Sequence, residues 1–113
     1  MRISARGALD LWRGALIETV RRRGPDLTAR QLAVMLSVYL TEPPHTVRGL
    51  AKDLKLRKPA VTRALDKLEQ LGLARRKSDP DDARSILVQR TVQGSVYLSE
   101  FGDLVVRAAR DLS

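Results

Sequence analysis

The sequence predicts a mainly α fold, α+β by strict class, in one domain over residues 1–113, with a short β-hairpin before its last helix. Three observations carry this. Apolar residues recur at spacings of three and four along most of the chain, the mark of helices with one buried face. Capping and breaking residues such as Thr28-x-x-Gln31 and Pro43-Pro44 cut that pattern into separate helices. Two short β-prone runs, the first weak on propensity alone, flank a polar loop containing Asp79-Pro80, which suits a hairpin. No internal repeat or low-complexity tract interrupts the pattern.

The elements follow in order. Leu9, Trp12, Leu16 and Val20 form one stripe of a helix spanning Ala5 to Arg23. It closes in Arg21-Arg22-Arg23-Gly24-Pro25, where cations suit the last turn, Gly a C-cap and Pro a stop. Thr28 and Gln31 form a capping box opening a second helix that is apolar nearly all round through Leu40, and therefore central and buried. Thr46 can cap a short third helix with Val47, Leu50, Ala51 and Leu54 inside. After a turn over Lys55 to Lys58, Pro59 suits the first position of a fourth helix, whose stripe is Val61, Leu65, Leu68 and Leu71 and whose C-cap is Gly72. A short helix, a tight turn and a longer amphipathic helix make a helix-turn-helix. Leu73 to Lys77 and Ser85 to Gln89 then read as the strands of a wing joined by the loop Ser78 to Arg84. Thr91 caps a last helix, with Gly94 and Gly102 each weakening it by about 1 kcal/mol relative to Ala. The expected organisation is an N-terminal helix over 5–24, a winged helix-turn-helix core over 28–91 and a C-terminal helix over 92–113.

Composition narrows the function classes. The chain has 113 residues, 43% of them hydrophobic, enough for one packed core. With no cysteine and one histidine, it offers no disulfide, thiolate zinc site or His-rich metal site. No apolar run approaches the roughly 20 residues of a membrane span. The start, MRISARGALDLW, lacks an unbroken apolar signal segment, so a cytoplasmic protein is expected. No second histidine, Gly-rich phosphate loop or paired acids placed on a cleft suggest catalysis, and neither an enzyme nor a cofactor is expected. The formal net charge is +8, and between Arg48 and Arg90 there are 12 basic and 6 acidic residues. Excess positive charge concentrated on such a motif points to nucleic acid, the alternative being an inert basic surface.

From Leu50 to Thr91 the string LAKDLKLRKPAVTRALDKLEQLGLARRKSDPDDARSILVQRT resembles the MarR-type winged-helix regulators of bacteria. The matching features are Leu50-Ala51 with Leu54, Pro59-Ala60-Val61-Thr62-Arg63, Leu68-Glu69 before Leu71-Gly72-Leu73, and Asp79-Pro80-Asp81-Asp82-x-Arg84. Leu27-Thr28-x-x-Gln31 resembles the entry to the family's second helix. The resemblance implies a homodimer joined through helices at both chain ends, with Thr62 and Arg63 in the major groove and Arg84 in the minor groove. It further implies that Asp82 pairs with Arg84 and aims it. The chain departs from the family pattern in carrying Arg57 in place of a Ser or Thr cap and Arg90 in place of a Leu. It also ends sooner than family members do, which bears on the usual dimer interface and effector pocket.

The residues expected to meet DNA are Arg57, Lys58, Thr62, Arg63 and Lys67, with Gln70, on the outer face of the fourth helix, which is the recognition helix. A major groove about 12 Å wide admits one helix, and Arg63 has the donors for a guanine. Arg75, Arg76, Lys77 and Arg84 mark the wing, since a narrow minor groove attracts Arg. Arg48 and Lys52 are placed to touch phosphates, which set register without reading sequence. Arg21 to Arg23 read equally as phosphate contacts or a charged helix end. The plainer alternatives are a solvated helix face neutralised by Asp66 and Glu69, and a loop whose acids balance its cations. Leu9, Trp12, Leu16, Val20, Leu98, Phe101 and Val105 read as core or dimer interface, and His45 as a loop residue. The partners expected are double-stranded DNA with a near-palindromic operator and a second copy of the chain. A small-molecule effector is less expected, and a membrane not at all. A protein-interaction winged helix docking on transcription or chromosome machinery is the competing class.

Overall fold

A computed structural model of the chain describes residues 2–112. Its elements are α1 (Ala5–Arg21), α2 (Ala29–Leu40), β1 (His45–Thr46), α3 (Val47–Leu54), α4 (Lys58–Gln70), β2 (Ala74–Asp79), β3 (Asp82–Arg90) and α5 (Val92–Arg110). The strands form one antiparallel sheet in the order β1-β3-β2. The chain divides into two compact units, Leu27–Ser95 and the two terminal stretches up to Asp26 and from Val96. Among the described residues no helix is long and apolar enough to cross a membrane.

The Leu27–Ser95 unit is the winged helix-turn-helix. Its core is Val34, Met35 and Val38 of α2, Val47 and Leu50 of α3, Val61, Ala64, Leu65 and Leu68 of α4, and Leu73, Ala74 and Val88 of the sheet region. Each fully buried Leu, Val or Met side chain stabilises the fold by about 1.5–3 kcal/mol relative to exposure. The caps are those the sequence implies. Thr28 and Gln31 close a capping box on α2, and the Thr46 hydroxyl accepts from the Gly49 N–H at 2.9 Å. After α4, Gly72 takes a left-handed φ of 75°, which lets the Gly72 and Leu73 N–H groups return to the Glu69 and Leu68 carbonyls.

Several details differ from expectation. α1 ends at Arg21, because Arg22 is already extended and its N–H closes the helix on Glu18. The central helix α2 is buried or half-buried at every position from Gln31 to Tyr39, but its last residue is not: Leu40 is 74% exposed. The wing has a two-residue turn, Pro80-Asp81, instead of a seven-residue loop. Asp79 Oδ1 accepts from the Asp81 N–H and Asp82 Oδ1 from the Arg84 N–H, so the acids fold the turn tightly. His45 is a buried strand residue, not a loop residue: it pairs with Val88, and its Nε2 lies 3.2 Å from the Thr41 carbonyl.

Arg90 and Gly94 both have structural reasons. Arg90 donates from Nε to the Val38 carbonyl at 2.8 Å and from Nη2 to the Thr41 carbonyl at 2.9 Å, satisfying the open C-terminal end of α2. Tyr39 Oη donates to the Leu73 carbonyl at 2.6 Å and accepts from the Thr91 N–H at 2.9 Å. A Cβ on Gly94 would overlap Tyr39 Oη and the Leu73 carbonyl, so the first turn of α5 carries a glycine where the chain passes that knot.

Candidate nucleic-acid interface

Helix α4 buries Val61, Ala64, Leu65 and Leu68, which turns Arg57, Lys58, Arg63, Lys67 and Gln70 to solvent and leaves Thr62 half-buried. Arg63, Lys67 and Gln70 recur at spacings of four and three, so they form one exposed row along the helix. Arg57 occupies the N-cap position and makes no capping bond. A cation therefore stands where a side-chain oxygen would cap the helix, at the end where the helix dipole is positive.

The turn between α3 and α4 brings the wing to the same region. Arg48 of α3, Lys58 of α4 and Arg84 of β3 line one cleft of about 60 Å³ with Thr46, Val47, Asp82, Ser85 and Ile86. Three basic residues from three elements, separated by up to 36 positions, thus meet at one place. Asp82 acts on Arg84 through the backbone: its carboxylate accepts from the Arg84 N–H at 3.0 Å and forms no ion pair with the guanidinium. Asp82 fixes the strand at Arg84 and leaves that guanidinium exposed.

The strand residues separate by face. Successive side chains of a strand alternate, so Arg75 and Lys77 point opposite to Ala74 and Arg76. Arg75 and Lys77 are exposed, and Arg75 lines a different cleft with Pro43, Pro44, Leu87 and Gln89. Arg76 departs most from its expected role. Its Nη2 donates to Asp66 Oδ1 at 2.6 Å and Glu69 Oε1 at 2.8 Å, its Nε to Glu69 Oε1 at 3.0 Å, and its backbone N–H to Glu69 Oε2 at 3.1 Å. These bonds, the backbone one first, lower the Glu69 pKa from its ordinary value, while the Glu69 and Asp66 carboxylates raise that of Arg76. Arg76 therefore ties the wing to the recognition helix and neutralises the two acids on it. The sequence places the acids on the recognition helix and the arginine on the wing; only β2 packing on α4 pairs them.

Two further cations flank the start of α4. Arg30, on the first turn of α2, lines a cleft of about 450 Å³ with Lys55, Leu56, Arg57, Pro59, Ala60 and Arg63. A second cleft, of about 270 Å³, shares Arg30, Ala60 and Arg63. Arg30 is two residues beyond the capping Thr28, so its exposure was readable, but its proximity to α4 was not.

In the terminal unit, α1 and α5 approach closely where a Cβ on Gly14 would lie 3.3 Å from Ala108 Cβ. Ala15, Tyr97, Phe101, Leu104 and Ala108 are buried, and Leu98 and Val105 half-buried. The α1 stripe is not core: Leu9, Trp12, Leu16 and Val20 are all exposed, Trp12 by 49% and Val20 by 70%. Of Arg21 to Arg23, Arg22 stacks on the Tyr97 ring with its guanidinium carbon 4.5 Å from the centroid, whereas Arg21 and Arg23 are exposed.

A helix-turn-helix with a three-stranded wing and cations gathered on one side defines the winged-helix class of DNA-binding folds. Comparison with known proteins narrows it. The MarR family model matches residues 27–86. The HTH-type transcriptional regulator YkoM of Bacillus subtilis, itself uncharacterized, is 32% identical over 80 residues, 70% of this chain and 52% of that protein. The chain thus spans about half the length of this curated relative. Among solved structures, MarR is 26% identical and covers 98% of this chain and 85% of its own, with a TM-score of 0.72. The transcriptional repressor CouR, solved bound to a 23-mer DNA duplex, is 28% identical over 94% of this chain and 72% of its own, with a TM-score of 0.73. MepR of S. aureus, solved as a complex with DNA, shares the fold at a TM-score of 0.71 and 21% identity over 91% of this chain and 79% of its own. The chain belongs to the MarR family, whose winged-helix DNA-binding fold is that of transcriptional regulators.

Proposed function

We propose that this protein is a sequence-specific double-stranded DNA-binding regulator that acts as a homodimeric repressor by occluding a promoter. The observation that carries the reading is the convergence of Arg48, Lys58 and Arg84 beside the exposed Arg57, Arg63 and Lys67 of α4. In this reading α4 enters the major groove with Arg63 and Thr62 near base edges, and Arg84 reaches the minor groove from the wing. Arg48 and Lys52 take phosphates, and Arg75 and Lys77 lie along the flanking backbone. Arg76 stays on α4 as the brace of the wing. CouR, described as a repressor and bound to a DNA duplex, supports the same assignment by likeness. The exposed α1 stripe, with Val96 and Val106 of α5 also exposed, is the surface for the second copy. Two recognition helices about 34–36 Å apart then read a near-palindrome in successive major grooves.

Selection of bound sites from a randomised duplex library at about 150 mM salt tests this directly. An enriched two-fold-symmetric site is the expected result. Binding without enrichment would make the protein a backbone reader, and absence of binding would transfer the fold to a protein-docking role.

A further inference from the structure

We propose that the cleft between the first turn of α2 and the start of α4 is a seat for a backbone phosphate of duplex DNA, with Arg30 and Lys55 as contacts beside Arg57 and Arg63. The inference rests on the DNA-binding reading above and adds two residues and a location to it. Four cations from α2, the turn and α4 line this cleft, and no acidic residue among those described lines it or the adjoining one. Cations so placed repel one another, and a bound polyanion relieves that repulsion. Asp66, the acid of α4 nearest in sequence to Arg63, is bound to Arg76.

Two of these four cations stand in the turn between the helices. Lys55 adopts the left-handed conformation at φ 54° and ψ 42°, the one positive φ outside glycine among the described residues. Its N–H and that of Leu56 return to the Lys52 and Ala51 carbonyls, a helix ending that glycine fills without strain. At the next helix start, Arg57 makes no cap bond, although a Ser, Thr or Asp there would make one. Two neighbouring turn positions thus carry cations where uncharged or acidic residues would stabilise the fold better. An anion between them would offset their charge, and a phosphodiester fits a cleft that also presents the apolar Leu56, Pro59 and Ala60.

The test compares wild type, Arg30→Gln and Lys55→Gly on the selected duplex and on a random duplex across salt concentrations. Each variant is expected to weaken binding to both duplexes several-fold alike and to flatten the plot of log affinity against log salt by about 0.9 per protomer. Lys55→Gly should melt no lower than wild type, so weaker binding would not reflect a damaged fold. Unchanged affinity and slope in both variants, with wild type binding DNA, would overturn the phosphate seat and leave the regulator reading intact. Loss confined to the selected duplex would assign base reading to these residues and also overturn it. Absence of wild-type binding to either duplex would sink the DNA-binding reading and this inference with it.

Discussion

Arg63 and Arg76 are both basic and belong to neighbouring elements, yet one faces solvent and the other is bound by two carboxylates. Arg63→Ala should relax preference at one base position, costing about 1–3 kcal/mol on the selected site. A binding matrix of single-base variants reads this, and equal loss on specific and random duplex would remove the base-reading role. The two helical glycines make a second pair. Gly94→Ala places a methyl group on Tyr39 Oη and the Leu73 carbonyl, and should destabilise the protein by about 1–3 kcal/mol. A methyl group on Gly102 would meet nothing within 4 Å, so Gly102→Ala should gain about 0.5–1 kcal/mol from helix propensity alone. Thermal melting of the two variants should move in opposite directions. Propensity penalises both glycines equally, which is why the sequence could not tell one from the other.

At the scale of elements, the joint between α4 and β2 is an acid-sensitive brace. Arg76 holds Glu69 in its charged form, so the Glu69 pKa lies lower in the folded than in the unfolded chain, where it is near 4.5. A depressed carboxyl adds stability above the unfolded value and loses it as pH falls through the folded one. Melting temperature should therefore fall through this joint below about pH 4.5, and Glu69→Gln should flatten that part of the profile. An unchanged profile would show that the joint contributes nothing to stability. Because the wing hangs on this joint, the same variant should weaken DNA binding through Arg84 without touching DNA itself. The helix boundaries around it were largely legible, whereas both strands run further into the wing than the sequence implied. Thr28, Thr46, Pro59 and Gly72 act on their own nearest neighbours, and local hydrogen bonds are written in local sequence. Strand β1 was not legible, since two residues have no periodicity and pair with Leu87 and Val88 across the chain.

For the whole molecule, the expectation is a dimer whose contact with DNA is dominated by charge. Trp12→Glu on the exposed face of α1 should shift the protein toward monomer in sedimentation and weaken binding to a two-fold site more than to a half-site. If sedimentation is unchanged, the α1 face is not the interface. With about 6–10 phosphates neutralised per dimer, affinity should drop roughly 10³- to 10⁵-fold between about 50 and 200 mM salt. A shallow salt dependence would contradict the phosphate contacts assigned to the turn and to α3.

By itself the sequence determined the helix-turn-helix, its capped ends, the outward face of α4 and the concentration of positive charge on the motif. Each of these follows from residues within a turn or two of one another, where spacing decides geometry. The tertiary structure decided which charges remain free. It drew Arg76 onto Asp66 and Glu69, set Arg30 beside Arg63, and left Leu9, Trp12, Leu16 and Val20 uncovered. Those outcomes depend on how separate elements pack. A pattern of residue types along one element records which face is apolar, but not which distant charge or surface will meet it.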